Sequence, residues 1–201
     1  MTITYEFEGS LYVNVTNRCS NDCVFCLRNN HDDVNGKDNL WLDREPTVDE
    51  IKADFKTRDM SKYSSIVFCG YGEPLMRFDD CMEVARWLKE TYPQLPIRIN
   101  TNGQANMMEK RDVTPEFEGV IDSVSISLNA ANAKRYDEIC KSYFGEAAFE
   151  GLQEFARLAK RYVPKVTLSI VDHDITAEEI ETCRSIAEKC GVDFRVRAYI
   201  E

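Results

Sequence analysis

At 201 residues the chain can bury one sizeable core, and it falls short of the ~250 residues that a complete (β/α)8 barrel usually takes. Acidic residues outnumber basic ones 35 to 25, a formal net charge of −10, and no stretch gathers lysine and arginine to track phosphates, so nucleic acid is a disfavoured partner. The N-terminus MTITYEFEGS lacks a basic-then-apolar signal and no apolar run nears the roughly 18 residues of a membrane span, so the expectation is one cytoplasmic domain over 1–201.

Six β-type runs alternate with helix-type periodicity, the pattern of βα units feeding a parallel sheet. The first run, LYVNVT (11–16), opens onto CSNDCVFC, with cysteines at 19, 23 and 26. Residues 27–46 are polar, carry Gly36 and Pro46, and form a loop of a length that is usually functional or mobile; Trp41 in it would act as a lid or as a staple. Thr47 with Glu50 makes a capping box ahead of Ile51 and Phe55. The second run, SIVFCG (65–70), leads into GYGEP (70–74) and a helix over about 79–91. The third and fourth runs are IRINTN (97–102) and SVSISLN (123–129), followed by helices over about 132–142 and 146–162. KVTLSIV (165–171) is the fifth. Thr176 with Glu179 then opens a helix that stops at Gly191, and FRVRAYI (194–200) is the sixth.

Several of these runs alternate in polarity. Val124, Ile126 and Leu128 oppose Ser125, Ser127 and Asn129; Ile97 and Ile99 oppose Arg98, Asn100 and Asn102; Val166, Leu168 and Ile170 oppose Thr167 and Ser169. A parallel strand buried on both sides reads as a continuous apolar run, so one polar face implies a wet or ligand-filled space. The expected fold is α/β: a partial, open (β/α)6 barrel of parallel strands, with outer helices over the apolar face and the polar face lining a cavity.

Three thiols in eight residues, spaced C-x3-C-x2-C, do not suit a structural zinc site, which takes four ligands. The only histidines are His31 and His173, and Cys69, Cys81, Cys140, Cys183 and Cys190 are dispersed, with no second C-x2-C pair. Three thiolates suit an iron–sulfur cluster that leaves one of four irons open to a ligand other than protein.

With these residues the sequence resembles the radical S-adenosylmethionine (SAM) superfamily, whose signature C-x3-C-x-Φ-C is filled by Cys19, Cys23, Phe25 and Cys26 on the loop after the first strand. GYGEP is similar to that family's GGEP element, with Tyr71 in place of a glycine, and NTNG (100–103) and SLN (127–129) stand at the ends of the third and fourth strands. VTNRCSNDCVFCLRN and the terminal RVRAYI resemble a subgroup described as TatD-associated radical SAM proteins. The resemblance implies a [4Fe-4S] cluster on Cys19, Cys23 and Cys26. It also implies SAM held near Phe25, Gly70, Tyr71, Gly72, Glu73, Asn100, Asn102, Ser127 and Asn129, and an electron donor such as flavodoxin or ferredoxin. The implied reaction is reductive cleavage of SAM to a 5′-deoxyadenosyl radical that takes hydrogen from a small-molecule or peptide substrate. The glycines at 70 and 72 would let the backbone approach a charged ligand. A glycyl-radical activase, or a non-enzymatic iron–sulfur or zinc module for electron transfer or regulation, are the other readings.

Other residues have plainer readings. Phe25 could pack on adenine or fill core, and Glu73 could face SAM or cap a turn. Cys69, Cys81, Cys183 and Cys190 are expected to be core side chains, and the two histidines, each beside an aspartate, to be solvated. Arg195, Arg197 and Tyr199 share one face of the last strand, and Arg98 is on the polar face of the third. They would point into the cavity toward SAM or an anionic substrate, pair with Glu73 or Glu201, or lie solvated on an edge.

Overall fold

The computed structural model describes residues 1–32 and 36–199. Seven strands form one sheet in sequence order: β1 (Thr4–Phe7), β2 (Ser10–Val13), β3 (Ile66–Phe68), β4 (Ile97–Thr101), β5 (Ser123–Ser127), β6 (Lys165–Asp172) and β7 (Asp193–Ala198). From β2 to β7 every neighbour is parallel, the six-strand open arrangement expected. β1 was not anticipated. It pairs antiparallel with β2 across Glu8 and Gly9, both at positive φ (47° and 74°), as the two central residues of a type I′ hairpin require.

Among the described residues six α-helices connect the strands: α1 (Val48–Lys56), α2 (Phe78–Thr91), α3 (Ala105–Glu109), α4 (Ala133–Cys140), α5 (Ala147–Ala159) and α6 (Ala177–Cys190). Both capping boxes form. The Thr47 and Thr176 hydroxyls accept from the Glu50 and Glu179 amides, and each glutamate reaches back to its cap amide. The short α3 had no expectation behind it. Gly191, at φ 70°, closes α6 in the left-handed conformation its lack of Cβ allows. Among the described residues no helix is long and apolar enough to cross a membrane.

The main core lies between the helices and one face of the sheet. Leu11, Val13, Ile66, Phe68, Ile97, Ile99, Val124, Ile126, Val166, Leu168 and Ile170 supply the strand side, with Ile51, Phe55, Leu88, Phe155 and Ala187 among the helical partners. Cys81, Cys140, Cys183 and Cys190 are buried in this layer. The opposite, inner face differs from expectation at one end. Tyr5, Tyr12, Val67, Tyr71 and Leu40 form a separate apolar cluster on β1–β3, joined by Phe7 and Cys69. Cys69 thus faces inward, half-buried, and is not part of the helix-side core.

Candidate active site

The cysteine loop leaves the carboxyl end of β2, where ligands bind in such sheets. It is held by a buried polar network that sequence reasoning passed over. Gln104 is fully buried; its amide nitrogen donates to Asn21 Oδ1 at 2.8 Å and to the Tyr136 hydroxyl at 3.1 Å, and its oxygen accepts from Ser20 Oγ at 2.8 Å. Asn21 Nδ2 also donates to the Tyr136 hydroxyl at 3.1 Å, and Ser142 Oγ to Gln104 at 3.1 Å. The one sequence signal for this was the polarity of NRCSND around Cys19. Its partners lie 80 or more residues away, where no local pattern marks them.

The GYGEP turn and the end of β4 are tied by Glu73, only 4% exposed. Its carboxylate accepts from Thr101 Oγ1 and the Asn102 amide, each at 2.7 Å, and from the Leu75 amide at 3.1 Å. Burial nevertheless raises its pKa against those three donors. Glu73 is therefore spent inside the protein as a turn cap and a brace for Asn102. Asn102 in turn donates from Nδ2 to Ser20 Oγ at 2.8 Å and reaches the Cys19 sulfur at 4.0 Å.

Gly70 and Gly72 have a packing reason that the sequence did not reveal. A Cβ on Gly70 would stand 2.1 Å from Asn14 Oδ1, and one on Gly72 2.3 Å from the Thr16 carbonyl and 2.5 Å from that of Arg18. The glycines admit the chain running out of β2. The Tyr71 hydroxyl donates to the His31 carbonyl and its ring meets Trp41 edge-on at 5.2 Å. Trp41 staples the long loop, and Leu40 beside it is fully buried. Asn14 Nδ2 bonds the Leu40 carbonyl at 2.7 Å, while Asn17 both donates to the Leu42 carbonyl and accepts from its amide, at 2.7 and 3.1 Å.

The thiols differ in surroundings. Burial pushes Cys19 up to about 12 and raises Cys26; Cys23 is raised first by a hydrogen bond with the Cys140 thiol, then by burial. All three are half-buried and neutral, so iron would have to displace their protons. Among the described residues no three His, Cys, Asp or Glu converge on a single metal ion. A cluster asks for something else, since it spreads its thiolates over separate irons. Phe25 packs half-buried against the main core.

Asn129, two residues past the end of β5, is in the left-handed region at φ 56°; its Nδ2 donates to the Cys140 sulfur at 3.8 Å and its buried Oδ1 has no partner. Asn100, with Cys69 and Arg197, sits further down the inner face, where Asn100 bonds the Cys69 thiol. Ser127 is half-buried on the same face. His31 is not solvated as expected: its Nε2 is buried without a partner. His173 stacks on Tyr199, ring centres 4.2 Å apart.

The chain is 30% identical over 181 residues to a probable GTP 3′,8-cyclase of Methanocaldococcus jannaschii, covering 88% of this chain and 55% of that protein. It is 29% identical over 155 residues to a probable dual-specificity RNA methyltransferase RlmN of Prochlorococcus marinus, covering 72% and 42%. The chain thus spans about half the length of these relatives. In fold it is similar to Streptococcus suis SuiB bound to its precursor peptide SuiA (TM-score 0.71, 18% identity, 94% of this chain and 39% of that one). It is also similar to methylornithine synthase PylB (TM-score 0.62, 20% identity, 94% and 52%). A family model described as the radical SAM superfamily matches residues 13–186, and the chain belongs to that superfamily.

Proposed function

We propose that this chain is the core of a radical SAM enzyme in which Cys19, Cys23 and Cys26 hold a [4Fe-4S] cluster and SAM binds across the carboxyl ends of β2–β5. The observation that carries this reading is the tie from Cys19 through Asn102 and Ser20 to the end of β4: the loop with the three thiols is built into the strand ends and does not dangle from them. When bound, the cluster and SAM supply a 5′-deoxyadenosyl radical for hydrogen abstraction, with the electron drawn from a donor such as flavodoxin or ferredoxin.

The residues present fit that pair. The buried, unpartnered Asn129 Oδ1 is an acceptor that the protein leaves unsatisfied, and it suits a ligand offering ammonium or ribose hydroxyl donors. Glu73 holds the Asn102 backbone in place, so the Asn102 side chain meets the cysteine loop in one fixed pose. Leu40, Trp41 and Tyr71 seal the β1–β3 side of the inner space with apolar surface, which keeps water from a reactive site. Phe25 lies on the loop between two of the thiols, where its ring would border the nucleoside. One relative is named for RNA, but a net charge of −10 favours a small molecule or peptide here.

The test is anaerobic reconstitution with iron and sulfide, followed by dithionite and SAM. Release of 5′-deoxyadenosine without added substrate supports the reading. A four-iron cluster that forms and releases none would refute it.

A further inference from the structure

On the inner face of the sheet, Arg98 and Arg197 are short of partners. Arg98 Nη2 donates to the Tyr12 hydroxyl at 3.0 Å, but its Nε is buried with no hydrogen bond. Arg197 Nε is likewise buried and unpartnered. Among the described residues neither makes an ion pair. Glu73, a candidate partner from the sequence, is fully engaged with Thr101, Asn102 and Leu75. The other candidate, Glu201, lies outside the described residues.

A cavity of about 420 Å³ opens on this face, lined by Arg98, Ser125, Thr167 and Arg195, with Lys165 and Asp193 at the strand starts. Asp193 is exposed and also makes no ion pair among the described residues. The guanidinium charges of Arg98 and Arg197 both act on the Cys69 thiol, which places them on one region of the interior. Burial lowers the Arg197 pKa; the nearby Cys69 opposes this, and the like charges of Arg195 and Arg98 add to it. Two guanidiniums that each bury an Nε without a partner are costly unless an anion completes them, and their planar forks match carboxylate or phosphate oxygens.

We propose that Arg98 and Arg197 form an anion subsite that holds a carboxylate or phosphate group of the substrate inside the open barrel. This rests on the reading of the chain as a radical SAM enzyme. Arg195 is exposed on β7 and belongs to the rim.

The test titrates inorganic phosphate into the full chain at constant ionic strength, with chloride as control, and follows melting temperature and heat of binding. Phosphate, and not chloride, should raise the melting temperature of the wild type. Arg98→Gln and Arg197→Gln should each weaken phosphate binding about tenfold or more. Arg197→Lys, keeping the charge without the fork, should fall between, and Arg86→Gln, on α2 and paired with Glu116 away from the cavity, should bind as the wild type does. Both glutamine variants should melt no lower than the wild type without phosphate, which separates loss of the site from loss of the fold.

Binding that survives in both glutamine variants, or no binding by the wild type, would overturn the subsite. Saturating SAM should leave phosphate affinity unchanged; complete displacement would assign these arginines to SAM's own carboxylate and overturn the substrate assignment. A wild type that releases 5′-deoxyadenosine but ignores phosphate sinks the subsite alone. One that binds phosphate at both arginines but never cleaves SAM sinks the reading beneath it.

Discussion

The two halves of the sheet's inner face do opposite work with the same strand geometry. On β1–β3 it is dry: Tyr5, Tyr12, Val67, Tyr71 and Leu40 are all buried, with Tyr5 and Tyr12 rings 5.2 Å apart and Phe7 edge-on to Tyr12 at 5.6 Å. On β5–β7 the inner positions include Ser123, Ser125, Ser127 and Thr167, all half-buried, and Ser123, Ser125 and Thr167 line a cavity. One half spends its inward side chains on packing. The other leaves polar side chains open to a cavity, which is where a ligand gains most from binding.

Breaking the dry half should have the largest effect. Leu40→Ala removes a fully buried side chain from under the long loop and should cost about 2–5 kcal/mol in urea unfolding. A loss below 1 kcal/mol would show that the loop only rests on the barrel.

The seam between the halves is Glu73. Glu73→Gln leaves one oxygen for three donors and turns an amide N–H toward the Asn102 N–H, a cost of about 1–3 kcal/mol at neutral pH. Burial raises this carboxyl, so its stabilising contribution is full below the ordinary carboxylate range and is lost as pH rises through the raised value. The glutamine variant should lack that part of the pH dependence. A variant with the wild-type pH profile would contradict the burial argument.

Smaller effects sharpen the contrast. Asn17→Ala frees the Leu42 backbone from two hydrogen bonds, and should lower stability by about 1 kcal/mol while speeding proteolysis between residues 36 and 44. Ser125→Ala, on the polar half, should change stability by less than about 0.5 kcal/mol, because the residue faces the cavity and packs against little. A large loss there would mean that the polar face is packed core.

The parts legible in the sequence were those with local signatures. Period-2 alternation located β4, β5 and β6, two capping boxes located α1 and α6, and the cysteine spacing marked the loop. β1 escaped because its turn is Glu8–Gly9, and glutamate is not a residue that announces a positive φ. The aromatic inner cluster escaped because Tyr5, Leu40 and the Val67–Tyr71 stretch come from three separated segments, and Leu40 from a stretch whose polarity read as loop. The Gln104–Asn21–Tyr136 network has the same character: each residue is unremarkable alone, and only the fold brings them together. The Glu73 ambiguity between cap and ligand contact could be narrowed only by counting its hydrogen bonds.

The central claim is that a loop of three thiols, braced by the strand ends and packed on the edge of the main core, carries the chemistry. Iron content per chain tests it most directly, measured after anaerobic reconstitution on the wild type, on Cys19→Ala, Cys23→Ala and Cys26→Ala, and on Cys183→Ala as control. The account predicts about four irons in the wild type and in Cys183→Ala, with loss of the intact cluster in each of the three loop variants and unchanged far-ultraviolet circular dichroism throughout. Full iron retained by a loop variant, or lost from Cys183→Ala, would contradict it.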